Sequence, residues 1–126
     1  MTVLQQPATT GDVLKYEVNP NYTRETVTLL QGMPYPVGSV LGRISASGKY
    51  KFATSGGSDG AQTASAVLLY AVDATLADAT GIVVARGPAI VSRSALAYDG
   101  TVDDGAKITT KLGQLASLGI LPRDTA

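Results

Sequence analysis

Across residues 23–50 short apolar runs alternate with turn residues, and the spacing predicts strands. Thr-Val-Thr-Leu-Leu and Ser-Val-Leu-Gly-Arg-Ile supply strands over 27–30 and 39–44, joined by the corner Met-Pro-Tyr-Pro. Pro34 and Pro36 fix φ and carry no amide donor, so they suit a corner better than a sheet interior. Gly38, Gly42 and Gly48 supply the freedom that bulges and tight turns need, and a Ser-Gly turn leads into a third strand over 50–53. Further strands are expected over 66–72, 81–85 and 89–91. Residues 64–77 are ambiguous: Ala and Leu suit a helix, whereas Val67, Tyr70 and Val72 between turn signals favour a strand. The Gly/Ser/Asp-rich stretch 54–63 reads as a long exposed loop.

One helix is clear, and it is C-terminal. Thr101 is the expected cap, with Asp104 three residues on. Ile108, Leu112, Leu115 and Leu118 then form one apolar face. Gly119 stands where a left-handed cap belongs, Ile120 can reach back to Leu115, and Pro122 stops the helix. Thr109, Thr110 and Gly113 are poor helix formers, so the helix needs packing against the sheet.

The first 22 residues differ. Val3, Leu4, Val13, Leu14 and Val18 stand isolated among Thr, Gln, Asn, Pro and Gly, too sparse to offset the ordering entropy alone. Within them Leu14-Lys-Tyr-Glu-Val alternates like a strand. The expectation is a flexible, extended arm over 1–22, reaching on the order of 70 Å, before a single β-rich domain over 23–126. The predicted class is α+β, mainly β: a small barrel or sandwich-like domain with a C-terminal helix.

Composition narrows the chemistry. The 126 residues carry ten basic and ten acidic side chains, giving no electrostatic case for nucleic acid or an anionic membrane as partner. Charged residues make up 16%, below the roughly 25% of a typical soluble domain, so much of the surface is small and polar or is covered by a partner. With no histidine and no cysteine, the usual general bases, thiol nucleophiles, disulfides and thiolate metal sites are absent. No lysine stands in a Ser-x-x-Lys arrangement. Between Gly42 and Gly48 lie five residues, not the four of a phosphate loop, and Tyr50 follows Lys49. Asp99, Asp103 and Asp104 miss the spacing of a calcium loop, and helix capping accounts for the last two. Asn21-Tyr-Thr matches a glycosylation sequon, read as coincidence because Met-Thr-Val-Leu-Gln-Gln-Pro has neither a basic segment nor a hydrophobic run. A product made in a cytoplasm without a membrane anchor is expected, with no catalytic residues, no cofactor and no metal. For Tyr16 and Tyr22, packing and interface anchoring stand as equals; Tyr50 reads as packing.

Six pieces arrive in a familiar order: Arg-Glu-Thr-Val-Thr-Leu, Gly-Ser-Val-Leu-Gly-Arg-Ile, Ser-Gly-Lys-Tyr, Asp-Gly-Ala-Gln-Thr-Ala-Ser-Ala-Val-Leu-Leu, Val-Val-Ala-Arg-Gly-Pro-Ala and Leu-Gly-Gln-Leu-Ala-Ser-Leu-Gly-Ile. Together they resemble the bacteriophage head decoration proteins of the lambda type over roughly residues 23–121, leaving the arm outside. The resemblance implies a non-enzymatic homotrimer on the outer surface of the expanded capsid, cementing the major capsid protein at three-fold and quasi-three-fold sites. It also implies an arm that orders on the shell by adding to a capsid strand, which points to Leu14, Tyr16, Val18 and Tyr22 as the docking residues. Removing 1–22 is then expected to leave a folded body that binds weakly. The rival expectations are a tail or fibre β domain and a small ligand-binding β-barrel.

Overall fold

The computed structural model describes residues 10–124. One turn of helix, α1 (Thr10–Val13), leads into β1 (Leu14–Glu17) and a second turn, α2 (Pro20–Thr23). Eight strands follow: β2 (Arg24–Leu29), β3 (Pro34–Tyr35), β4 (Val40–Arg43), β5 (Tyr50–Phe52), β6 (Ala64–Leu68), β7 (Val72–Asp73), β8 (Ala79–Val84) and β9 (Ala89–Ser92). The main helix, α3 (Gly105–Ala116), precedes β10 (Ile120–Arg123). The fold is α+β and mainly β, as expected.

Five strands close a barrel in the order β2-β5-β4-β6-β8. Beside it stands a three-stranded sheet, β1-β9-β10, in which β1 runs antiparallel and β10 parallel to the central β9. The expected strands fall within a few residues of β2, β4, β5, β6, β8 and β9. Two-residue β3 and β7 pair at the proline corner.

β6 holds the two layers together. Ala66 and Leu68 turn into the barrel with Leu29, Leu41 and Val83, while Val67 joins Val40, Val84, Val91, Leu115 and Ile120 between barrel and second sheet. A strand buried on both faces reads as a continuous apolar run, which is why 64–77 carried no clean period. The same run ends sooner than expected: the strand stops at Leu68, and Tyr70 lies exposed beyond it.

Gly42 shows why one of these turns needs glycine. It sits at a bulge between β4 and β6, where a Cβ would stand 2.3 Å from the Ala61 carbonyl oxygen.

Three expectations are corrected. The cap of α3 is Asp104, whose Oδ1 accepts from the Lys107 amide at 2.9 Å, so the helix starts three residues later than a Thr101 cap implies. Residues 120–123, read as a helix stop at Pro122 with Ile120 reaching back to Leu115, also form a further strand on β9. Residues 10–22 of the expected arm are packed on the body: Val13 is fully buried in the inter-layer core, and Leu14–Glu17 pairs with β9. Residues 1–9 lie outside the described residues.

Candidate interaction face

β1 brings Glu17 beneath the start of β2, and the local sequence explains how. Asn19 caps α2, accepting from the Asn21 amide at 2.9 Å, and Pro20 presets the first helical φ. The single turn swings the chain back so that Thr23 and Arg24 face Glu17. The Thr23 hydroxyl donates to Glu17 Oε2 at 2.6 Å, and Arg24 Nη2 donates to Oε1 at 2.7 Å with Nε adding longer bonds to both oxygens. Burial alone would raise the Glu17 carboxyl pKa, but the Arg24 and Thr23 hydrogen bonds outweigh it and the net shift is downward. Arg24 is raised in turn, chiefly by its bonds to Glu17. Its remaining Nη1 donates to the Tyr70 hydroxyl at 3.3 Å.

Tyr22 belongs to a second ion-pair group. Arg86 lies over its ring, 5.6 Å from the centroid, donates to the Tyr22 carbonyl, and forms an ion pair with Glu25 at 2.5 Å. Each guanidinium is therefore already oriented by a carboxylate of its own chain.

The outer face of the second sheet continues the surface in apolar form. Tyr16, Ile90 and Leu121 lie opposite one another across β1, β9 and β10, while their neighbours Ala89, Val91 and Ile120 turn inward. Tyr16 is 51% exposed and Tyr22 57%. Val18 is exposed as well, its amide donating to the Pro88 carbonyl at 3.0 Å.

Of the four residues expected to dock, Tyr16, Val18 and Tyr22 are each exposed, whereas Leu14 is half-buried against the inter-layer core. Ile90 and Leu121 flank Tyr16 on the outer face of the second sheet, while Arg24 with Tyr70 and Arg86 with Tyr22 form separate groups, none of them singled out from the sequence except Tyr22. Tyr and Arg are among the residue types that anchor interfaces most often, but only the fold pairs Arg24 with Tyr70 and Arg86 with Tyr22.

A second apolar surface surrounds the β3/β7 pair. An open groove of about 530 Å³ is lined by Pro34, Tyr35, Pro36, Ala71, Val72 and Asp73. Beside it a loop presents Leu76 almost wholly to solvent, at 93% exposure. Asp73 Oδ1 accepts from the Thr75 amide and hydroxyl, and Asp78 accepts from the Gln31 amide and pairs with Lys49 at 2.6 Å. The tip is therefore pinned on both sides of Leu76.

Lys111 is the one chemically unusual lysine. It is buried on α3, burial lowers its pKa, and its Nζ donates to the Gln62 carbonyl with Gln114 Oε1 at 3.4 Å. Those contacts tie the helix to the loop before β6. Among the described residues no three His, Cys, Asp or Glu side chains are grouped to hold a metal ion, and no helix is long and apolar enough to cross a membrane.

The profile of the bacteriophage lambda head decoration protein D family matches residues 3–120. The chain belongs to this head decoration family. The match takes in β1, α2 and most of the expected arm, so the segment left outside the resemblance is part of the family's sequence pattern. A search of curated proteins gives no match. Membership of the decoration family makes the protein a capsid-associated structural component of a phage virion.

Proposed function

We propose that this decoration protein is a non-enzymatic cement that binds the outside of the expanded head as a homotrimer at three-fold and quasi-three-fold sites and stabilises the shell against the pressure of packaged DNA. The observation that carries the proposal is the exposure of Tyr16, Val18 and Tyr22 on and just after the edge strand β1, on a chain of this family. The partner is the major capsid protein; nucleic acid and membrane have no part. The protein is made in the host cytoplasm and ends on the outer surface of the virion.

β1 lies at the edge of its sheet, paired with β9 on one side only. A capsid strand can add to the free side, as an extended peptide adds to any open sheet edge. In this reading Leu14 holds the strand to the body while Tyr16, Val18 and Tyr22 meet the shell. Docking then orders little of residues 10–22, so it costs less entropy than recruiting a free arm. Contact between copies falls to the second surface, where Leu76 of one copy enters the Pro34/Pro36/Val72 groove of the next. Three linked docking strands raise the effective concentration of each, which favours the shell state that spaces the sites correctly.

The test is mechanical. Expanded, DNA-filled heads lacking decoration are heated with and without the purified chain, and DNA release is followed by dye fluorescence. The proposal expects release to shift to higher temperature at saturation; bound chain with unchanged release temperature contradicts a cementing role.

A further inference from the structure

Three Asp-Gly pairs occur in the chain: Asp59-Gly60, Asp99-Gly100 and Asp104-Gly105. Glycine after aspartate leaves the backbone nitrogen unshielded, so each pair has the composition that favours succinimide formation. We infer that Asp99 is the site at which this protein isomerises as it ages, and that the fold protects the other two.

The reaction needs only the chain and water. The Gly100 nitrogen attacks Asp99 Cγ, the carboxyl C–OH bond breaks, and one water leaves as the five-membered imide closes. Water then adds to one of the two imide carbonyls. Opening at Cγ restores aspartate; opening at the main-chain carbonyl breaks its bond to nitrogen and leaves the chain running through Cγ as isoaspartate. Atoms balance, and nothing is oxidised or reduced.

For the nitrogen to reach Cγ, the Asp-Gly peptide must rotate, and the three sites differ in what resists that. At Asp59 the Gly60 amide donates to Gln62 Oε1 at 2.8 Å, and the Asp59 carbonyl accepts from the Ser45 amide at 2.8 Å. Gly60 is also wedged so that a Cβ would stand 2.4 Å from Ser45 Oγ, and Lys51 pairs with the carboxylate at 2.7 Å. Asp104 is fixed as the cap of α3, its carbonyl accepting from the Ile108 amide at 3.1 Å and the Gly105 carbonyl accepting from the Thr109 hydroxyl at 2.8 Å. Asp99 lies outside any helix or strand, so no regular hydrogen-bonded element fixes its peptide. Its Oδ2 accepts from the Thr101 amide at 3.0 Å and from the Thr101 hydroxyl, and its carbonyl accepts from the Val102 amide at 3.0 Å. Gly100 and Gly105 are both exposed, and a Cβ at either would meet nothing within 4 Å, so at Asp104 the helix hydrogen bonds alone supply the protection.

Isomerisation at Asp99 has a local consequence. The added backbone carbon displaces the carboxylate from Thr101, whose Oγ1 accepts from the Ser55 amide at 2.9 Å. The clamp between the 99–101 turn and the 54–60 loop is then lost.

The experiment ages the full-length protein in neutral buffer at physiological temperature and quantifies isoaspartate at each site by peptide mass spectrometry. A parallel sample is kept in denaturant. Faster accumulation at Asp99 than at Asp59 and Asp104, by severalfold, is expected in the folded protein, with the three rates converging in denaturant. Gly100→Ala abolishes most of the folded-state signal. Equal rates at the three sites in the folded protein, or the same ranking in denaturant, overturns the inference.

Discussion

Glu17 and Arg24 join the N-terminal strand to the barrel through a multidentate ion pair whose shortest contact is 2.7 Å. The pair decides how the first strand is held, because β1 otherwise touches the body through its ladder to β9 and the half-buried Leu14. Glu17 is the less exposed partner, with 11% of its side chain accessible. Removing the charge should therefore matter more than at a typical surface pair.

Glu17→Gln is expected to destabilise the fold by about 1–2 kcal/mol at neutral pH, since charge-assisted hydrogen bonds outweigh neutral ones. The carboxyl pKa is lower in the folded state than in the unfolded chain. Its stabilisation is thus complete above the unfolded value, about 4.3, and is lost as pH falls through the folded value. Urea midpoints measured from neutral to acid pH should fall for the native chain and converge with those of the variant at the acid end. A gap that persists in acid would assign the effect to packing.

Tyr98 makes the opposite case. Its hydroxyl is buried with no hydrogen-bond partner among the described residues, and burial raises its pKa. Tyr98→Phe removes an unsatisfied group while keeping the ring against the inter-layer core. Thermal unfolding should show stability unchanged or raised by up to about 1 kcal/mol. A loss of that size would mean the hydroxyl has a partner in the assembled protein.

Leu76→Glu tests the contact proposed between copies. The side chain touches solvent almost everywhere, so the fold should tolerate the charge. Cross-linking on expanded heads should give trimers of the native chain and a clear loss of them for the variant, whose circular dichroism should be unchanged. An undiminished trimer would place the contact elsewhere.

Much of the barrel was legible because its irregular positions carry their own chemistry: the Pro34/Pro36 corner, Gly42 at a bulge within β4 and Gly48 in the turn before β5. The N-terminal segment misled for a physical reason. Val13 and Leu14 look isolated in sequence, yet Val13 packs beside Val40 and Val91, partners supplied from distant positions. β10 was hidden similarly: Pro122 lacks an amide donor, but β10 is an edge strand and tolerates that loss. The exposed residues were partly legible: Tyr16, Val18 and Tyr22 are close in sequence, while the contacts of Arg24 with Tyr70, of Arg86 with Tyr22 and of Leu121 with Ile90 come only from the fold.

The most direct test is co-sedimentation with expanded, undecorated heads of the parent phage, comparing the native chain with Tyr16→Ser/Tyr22→Ser. Both side chains are more than half exposed, so the variant should fold normally, which circular dichroism checks. The account predicts saturable binding of the native chain and a loss of at least about tenfold in affinity for the variant, equivalent to about 1.4 kcal/mol. Equal binding by the two proteins would contradict the proposed face, and no binding by either would contradict attachment to the expanded head.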